Sequence, residues 1–361
     1  MAVGKKVTLT LMSYTVSLTF LVAVIISLIG VVTFRITMKA TGFPVNSVAP
    51  SAVSTTIIFI FNELYKKMAY KLNDMENHRT QTEYNDNLIN KLFMFSFVNN
   101  FTPLFYLAYG RTWASKIGMF GLEKYLDEPC AGDCMSQVSM QVAVLLVGTP
   151  VLRTLLDNVL PRVLKRFQTD RIRTWYEEER AAAKIDISRD PTLHEYETKM
   201  ISYALVTLFA AAMPLAPLIY YILNKIDLRL DAGRLLKQGR RVVATRAEDI
   251  GQWQSIMWFI NVVAVFNNGL LMAYTARFGC KLDDAYGVGT RLWLVIIFEH
   301  VVFMLKYLIT SNIPDVPTLA AMKLKCMAQE VRITWSNMSL CFFFVLATIA
   351  CCLLPDPPAH I

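Results

Sequence analysis

An all-α protein that crosses a membrane several times is the fold predicted by three features of the sequence. The 361 residues are 55% hydrophobic and only 18% charged, a balance that soluble domains rarely show. The apolar residues gather in runs of about 18 or more, the length that spans a bilayer as a helix. The basic residues gather between those runs, where they set orientation rather than fold.

About eight runs follow in order. Residues 9–34 form the first, preceded by Lys5 and Lys6; the stretch is too long for a signal peptide, and no small-residue cleavage site follows it cleanly. Residues 45–64 form the second and end in Asn62-Glu-Leu-Tyr-Lys-Lys67, before a polar connection through Asn73-Asp-Met-Glu-Asn-His-Arg79. Residues 92–109 form the third, with Asn99, Asn100 and Thr102 inside it. Polar residues in a span either bind helix to helix or line a pathway. Residues 135–160 form the fourth, interrupted by Gly148 and Pro150, and a long basic connection follows to Lys199. A hairpin supplies the fifth and sixth, and residues 256–274 and 292–309 the seventh and eighth. Residues 338–354 make a last apolar run of marginal length. The basic stretches all fall on one side, which positive-inside bias makes cytoplasmic. With a net charge of +8 distributed around apolar segments, contact with lipid headgroups is expected and nucleic acid is not.

The hairpin carries the candidate chemistry. Pro214 and Pro217 interrupt an apolar run that starts at Tyr203, so the chain folds back and resumes at Leu218. Asp227 and Asp231 are four residues apart and share a helical face. At ~1.5 Å per residue, Asp227 lies roughly 20 Å and Glu195 roughly 28 Å from the Pro214 corner, so antiparallel arms bring them to similar depth. Carboxylates beside a membrane core are expensive unless paired or bound to a cation, and hard oxygen ligands suit Ca²⁺. The bland alternative is that Asp227 and Asp231 pair with Arg229, Lys225 or the basic loops.

Nothing here points to an enzyme. No Walker loop, GxSxG, HExxH or CxxC occurs, and the four histidines are scattered. His300 beside Glu299 is either a proton or ion relay, or a pair satisfied within the bundle. The seven cysteines do not form a scaffold; Cys130, Cys134 and Cys280 sit in loops on the outer side, where a disulfide can form.

At the hairpin the sequence resembles the anoctamin family. The likeness lies in Leu205-Val-Thr-Leu-Phe-Ala-Ala-Ala-Met-Pro-Leu-Ala-Pro217, in Asn224-Lys-Ile-Asp-Leu-Arg-Leu-Asp-Ala232 and in Arg246-Ala-Glu-Asp-Ile-Gly251. Phe97-Val-Asn-Asn100, Leu104-Phe-Tyr-Leu-Ala108 and Ile313-Pro-Asp-Val-Pro317 add to it, so that it covers roughly residues 5–335 in order. The resemblance implies a homodimer of ten-helix subunits, each with a Ca²⁺ site and a lipid-facing groove. It also implies that residues 1–335 are the later part of the transmembrane domain, lacking the N-terminal cytoplasmic domain and the first two helices. Residues 336–361 are then an atypical apolar tail.

In the family, five acids on three consecutive helices, assisted by an Asn, hold two Ca²⁺ ions. By resemblance Asp227 and Asp231 occupy the acidic positions of the third helix, and Glu195 the first position of the second. Thr198 stands where the next acid belongs, with Glu197 adjacent but turned about 100° away on an ideal helix. On the first helix, alignment on Gly148 places Asn158 at the acidic position and Thr154 at the Asn position, whereas alignment on Pro161 gives Asp157 and Arg153. A single weak Ca²⁺ site, or none, is expected from this set.

The function implied is passive transport: a chloride channel, a phospholipid scramblase or both, regulated by Ca²⁺, with Asn99, Asn100 and Thr102 as groove-lining candidates. A non-conducting membrane tether or regulatory scaffold is the alternative. The plasma membrane is the expected location, an intracellular membrane the other.

Overall fold

The computed structural model describes residues 3–40, 48–110, 133–156, 193–233, 250–276, 289–313, 317, 319–330 and 332. These residues are overwhelmingly helical, and no strand occurs among them. The chain divides into two units, Met1–Glu299 and His300–Ile361. The helices are α1 (Val3–Ala40), α2 (Val48–Glu76), α3 (Gln81–Phe105), α4 (Asp133–Thr154), α5 (Leu193–Leu208), α6 (Ala216–Gly233), α7 (Trp253–Leu270) and α8 (Thr290–Asn312). In the second unit a further helical stretch covers 319–330.

Five of the described helices are long and apolar enough to cross a membrane: Thr8–Met38, Val48–Glu76, Met135–Thr154, Trp253–Thr275 and Thr290–Asn312. The other three expected spans are helical but differ in kind. The first three turns of α3 are polar, from Gln81 to Lys91. The arms α5 and α6 have 16 and 18 residues, roughly 24 and 27 Å long, just short of a ~30 Å hydrocarbon core. The expected run 338–354 lies outside the described residues, as do Cys130 and Cys280.

The first unit is built around α2 and α3. A buried polar cluster ties these two helices together where the chain turns between them. Asn77 adopts a left-handed φ of 48° and ends α2, a backbone conformation that Asn tolerates better than most residues. Thr80 caps α3 by accepting from the Glu83 amide at 3.1 Å, while the Glu83 carboxylate accepts from the Arg79 amide at 3.2 Å; together they resemble a capping box. Behind the turn, Lys91 reaches across from α3 and donates to Glu76 at 2.6 Å and Asn73 at 3.1 Å. Glu76 is 3% exposed and Asn73 fully buried. His78 Nε2 lies 3.2 Å from both Glu76 and Asn73, and the Asn73 amide donates to the Tyr84 carbonyl.

An aromatic stripe then runs up α3 at four-residue spacing, through Phe93, Phe97, Phe101, Phe105 and Tyr109. Phe97 and Phe101 stack with centroids 4.5 Å apart. Phe101 and Phe105 both meet Phe209, and Phe97 meets Phe259 of α7 edge-on. On the other side Tyr65 of α2 stacks on Phe95 at 3.9 Å, with Phe20 of α1 edge-on to both rings. The Tyr65 hydroxyl is 3.0 Å from Ser17 of α1. α4 approaches α2 at Gly148, where an added Cβ would already touch Thr55. Arg35 of α1 donates to Gln137 of α4.

The corner between α5 and α6 comes earlier than the prolines alone predict. α5 ends at Leu208, and Phe209–Leu215 form the turn. Pro214 sits in the turn and Pro217 in the first turn of α6, where its missing N–H costs nothing. α7 supplies the reason for the early end. Asn268 donates to the Thr207 carbonyl at 2.7 Å and accepts from the Ala211 amide at 2.9 Å. Asn267 donates to the Leu208 carbonyl at 2.7 Å and accepts from the Tyr109 hydroxyl at 2.9 Å. The two amides thus serve the backbone groups released where α5 stops. Both α3 and α7 end in a π-wound turn, Tyr106–Gly110 and Leu271–Thr275, joined by the Thr275 hydroxyl donating to the Ala108 carbonyl at 3.1 Å.

Two stability outcomes follow. Lys91→Met leaves the buried Glu76 carboxylate without its ammonium, a loss of about 3 kcal/mol for a broken buried pair; thermal unfolding in detergent should show it, and Lys91→Met/Glu76→Gln should recover part of the loss. Asn268→Leu strands backbone groups at the corner and should cost about 1–3 kcal/mol. Asn261→Ala, which removes only the partner of the Tyr203 hydroxyl, should cost less in the same assay.

Candidate functional site

α5 and α6 run antiparallel from the corner, and their sequence registers set which side chains meet. Lys199 and Asp227 lie 15 and 13 residues from Pro214, or ~22 and ~20 Å at helical rise. Their side chains do meet: the Lys199 ammonium forms an ion pair with the Asp227 carboxylate. The same ammonium donates to Asn224 Oδ1 at 2.9 Å. The pair is partly open to solvent, 32% for Lys199 and 27% for Asp227, so it is not sealed in the core.

The remaining candidates extend this seam. Glu195 precedes Lys199 by four residues and Asp231 follows Asp227 by four. Each therefore lies one turn beyond the Lys199–Asp227 contact on the same face of its helix. Both are half-buried. Arg229 and Lys225, the partners considered from sequence, are exposed, and Lys225 lies 5.5 Å over the Tyr221 ring. Lys199, the last residue of the long basic connection, is the partner found, anticipated from sequence only as part of that connection. Its signal was present in the sequence: four residues from Glu195, and at the depth of Asp227.

Glu197 belongs to a different surface. It is buried at 8% exposure and accepts a hydrogen bond of 2.5 Å from Ser96 of α3. A position two residues from Glu195 on a helix turns away from the α6 seam. Thr198 is half-buried.

α4 packs against both arms of the hairpin. Its winding loosens to π geometry at 155–156, immediately before Asp157 and Asn158, which lie outside the described residues. Arg153 in its last turn has a buried Nη1 with no hydrogen-bond acceptor. Among the described residues, no three His, Cys, Asp or Glu side chains converge as a metal cluster. The hairpin donors are carboxylate and amide oxygens, the hard ligands that Ca²⁺ takes, and two of those oxygens already hold the Lys199 ammonium.

The three polar residues of α3 make different contacts. Asn99 is buried and donates to the Ile58 carbonyl at 2.9 Å and to Asn62 Oδ1 at 2.8 Å, both on α2. Asn100 is buried and donates to the Ser96 carbonyl of its own helix. Thr102 is half-buried and donates to the Val98 carbonyl.

Comparison with known proteins is consistent along most of the chain. A family profile described as "Anoctamin: Calcium-activated chloride channel" matches residues 4–326. Human Anoctamin-7 is 28% identical over 341 residues, covering 77% of this chain and 36% of that protein. Human Anoctamin-5 is 26% identical over 346 residues, 75% of this chain and 38% of its own length. Human Anoctamin-1 is 30% identical over 302 residues, 75% of this chain and 30% of its own length. The chain thus spans well under half the length of these relatives. With a helical bundle of apolar spans, a polar hairpin seam and a profile match across nearly its whole length, the chain is an integral membrane protein that belongs to the anoctamin family.

Proposed function

We propose that this chain works as a passive membrane transporter, conducting chloride, scrambling phospholipids or both, with the hairpin acids as its Ca²⁺-responsive element. The observation that carries this reading is the charged seam between α5 and α6, where Lys199 pairs with Asp227 and where Glu195 and Asp231 each follow one turn further out on the same helix faces. Family membership supplies the activity class.

Glu195, Asp227 and Asp231 are the described residues that would hold the ion, joined by Asp157 or Asn158 from the chain beyond α4. A bound Ca²⁺ supplies the positive charge that lets carboxylates from different helices approach one another. The chain's own part is positional. The corner anchored by Asn267 and Asn268 keeps the two arms at fixed depth. α4 touches both arms and is thereby the helix placed to register a change in the seam. Such a response is a shift between two packings, driven by whatever binds one of them better. Asn99, Asn100 and Thr102 stand as groove-lining candidates on α3, residues 1–335 as the transporting domain, and a homodimer in the plasma membrane as the working form.

A second reading, a tether or regulatory scaffold without flux, is favoured by the ammonium already on Asp227 and by Thr198 in place of an acid. The two separate in liposomes holding the purified protein, assayed for lipid scrambling and chloride flux with and without Ca²⁺. The transport reading expects flux that rises with Ca²⁺ and is lost in Asp227→Asn/Asp231→Asn; no flux of either kind in any condition would leave the scaffold.

A further inference from the structure

We infer that Lys199 is the resident cation of the hairpin seam, and that a divalent ion reaches Asp227 only by displacing it. The inference rests on the calcium reading of the hairpin and adds a residue of the seam that sets how strongly that ion is held.

The geometry is direct. One ammonium, carried on α5, takes both a carboxylate oxygen and an amide oxygen of α6: Asp227 and, at 2.9 Å, Asn224. Carboxylate and side-chain amide are the oxygen types from which a Ca²⁺ shell is built. An ammonium and a divalent ion cannot both claim the same Asp227 oxygen at close range, because one oxygen cannot seat both and two cations at that separation repel. Lys199 also stands on the face of Glu195 and opposite the turn that leads to Asp231, at the centre of the seam rather than its rim.

Lysine suits the role chemically. Its head is a point charge on a flexible four-carbon stem with three donors and no fixed fork. At 32% exposure it has open space into which to swing without unfolding either arm. The seam therefore has two closed arrangements: arms joined by an internal ammonium, or arms joined by an external ion with Lys199 turned out to solvent. The internal contact subtracts from the apparent affinity for the ion in proportion to how rarely the seam stands free. A seam free about one tenth of the time binds about tenfold more weakly than one never blocked.

The test uses the full chain purified in detergent, with Ca²⁺ as the probe, in wild type, Lys199→Met, Lys199→Gln and Lys199→Met/Asp227→Asn. Isothermal titration and the Ca²⁺-induced shift in melting temperature are the readouts, both independent of transport. The expected result is a Kd lowered about tenfold or more in Lys199→Met, a lower melting temperature than wild type without Ca²⁺, and a larger rise on adding it. The gain should vanish in the double variant. Lys199→Gln, which keeps a hydrogen-bond donor on a shorter stem but not the charge, should behave like Lys199→Met and serves if the latter does not fold. Unchanged or weaker binding in both neutral variants, or no binding in any protein, would overturn the inference. Flux separates this from the functional reading: tighter binding with no flux sinks transport but not the displacement, and Ca²⁺-dependent flux with unchanged binding does the reverse.

Discussion

A helix that stops inside an apolar environment leaves carbonyls with nowhere to go, and that constraint shapes this bundle. α5 ends at Leu208 amid buried Phe209, Ala212 and Met213. Groups released there and left bare would cost about 1–3 kcal/mol each. Asn267 and Asn268, adjacent on α7, take up the Thr207 and Leu208 carbonyls and the Ala211 amide. The packing of α7 on α5 is thereby fixed in register as well as in position. Tyr109, bonded to Asn267, brings the end of α3 into the same arrangement. Every charged side chain of the hairpin inherits its depth from that corner.

Lipid tails are as apolar as leucine, so burial alone does not bring these helices together; close packing and a modest number of interhelical hydrogen bonds do. α3 shows how the two are combined. At one end its Lys91 closes an ionic cluster with α2, in the middle Asn99 bonds two oxygens of α2, and along its length a ladder of aromatic rings meets α7 and the hairpin corner. Polar contacts fix rotation and sliding; the rings fill the space. The helix is consequently the common wall of the α1–α2 side and the hairpin side of the first unit.

Much of this was legible in the sequence because apolar run length and proline placement are local signals. The helical bundle and the fold-back near Pro214 follow from counting residues and placing prolines. Other features depend on partners distant in the chain. The Lys199–Asp227 contact needs the rotation of two helices, which counting does not give; Lys225 and Arg229, offered beside the basic loops, are exposed. The part played by Asn267 and Asn268 emerges only with α5 placed beside them. Glu197, expected to turn away from the acid positions, does so and accepts from Ser96 of α3. The two hairpin arms, at 16 and 18 residues, fall short of a free-standing span, and the first turns of α3 are polar. Asp157 and Asn158 lie outside the described residues.

α1 has 38 residues, about 57 Å of helix, set against a hydrocarbon layer of ~30 Å. It cannot stand upright within that layer; it must lean, or carry its ends out among the headgroups. Most of its surface faces away from the bundle, while Ser17, Phe20 and Arg35 hold it to α2, α3 and α4. A rod this long, held along one side, meets a thinner or thicker bilayer by changing its lean or by carrying more of its ends into the headgroups.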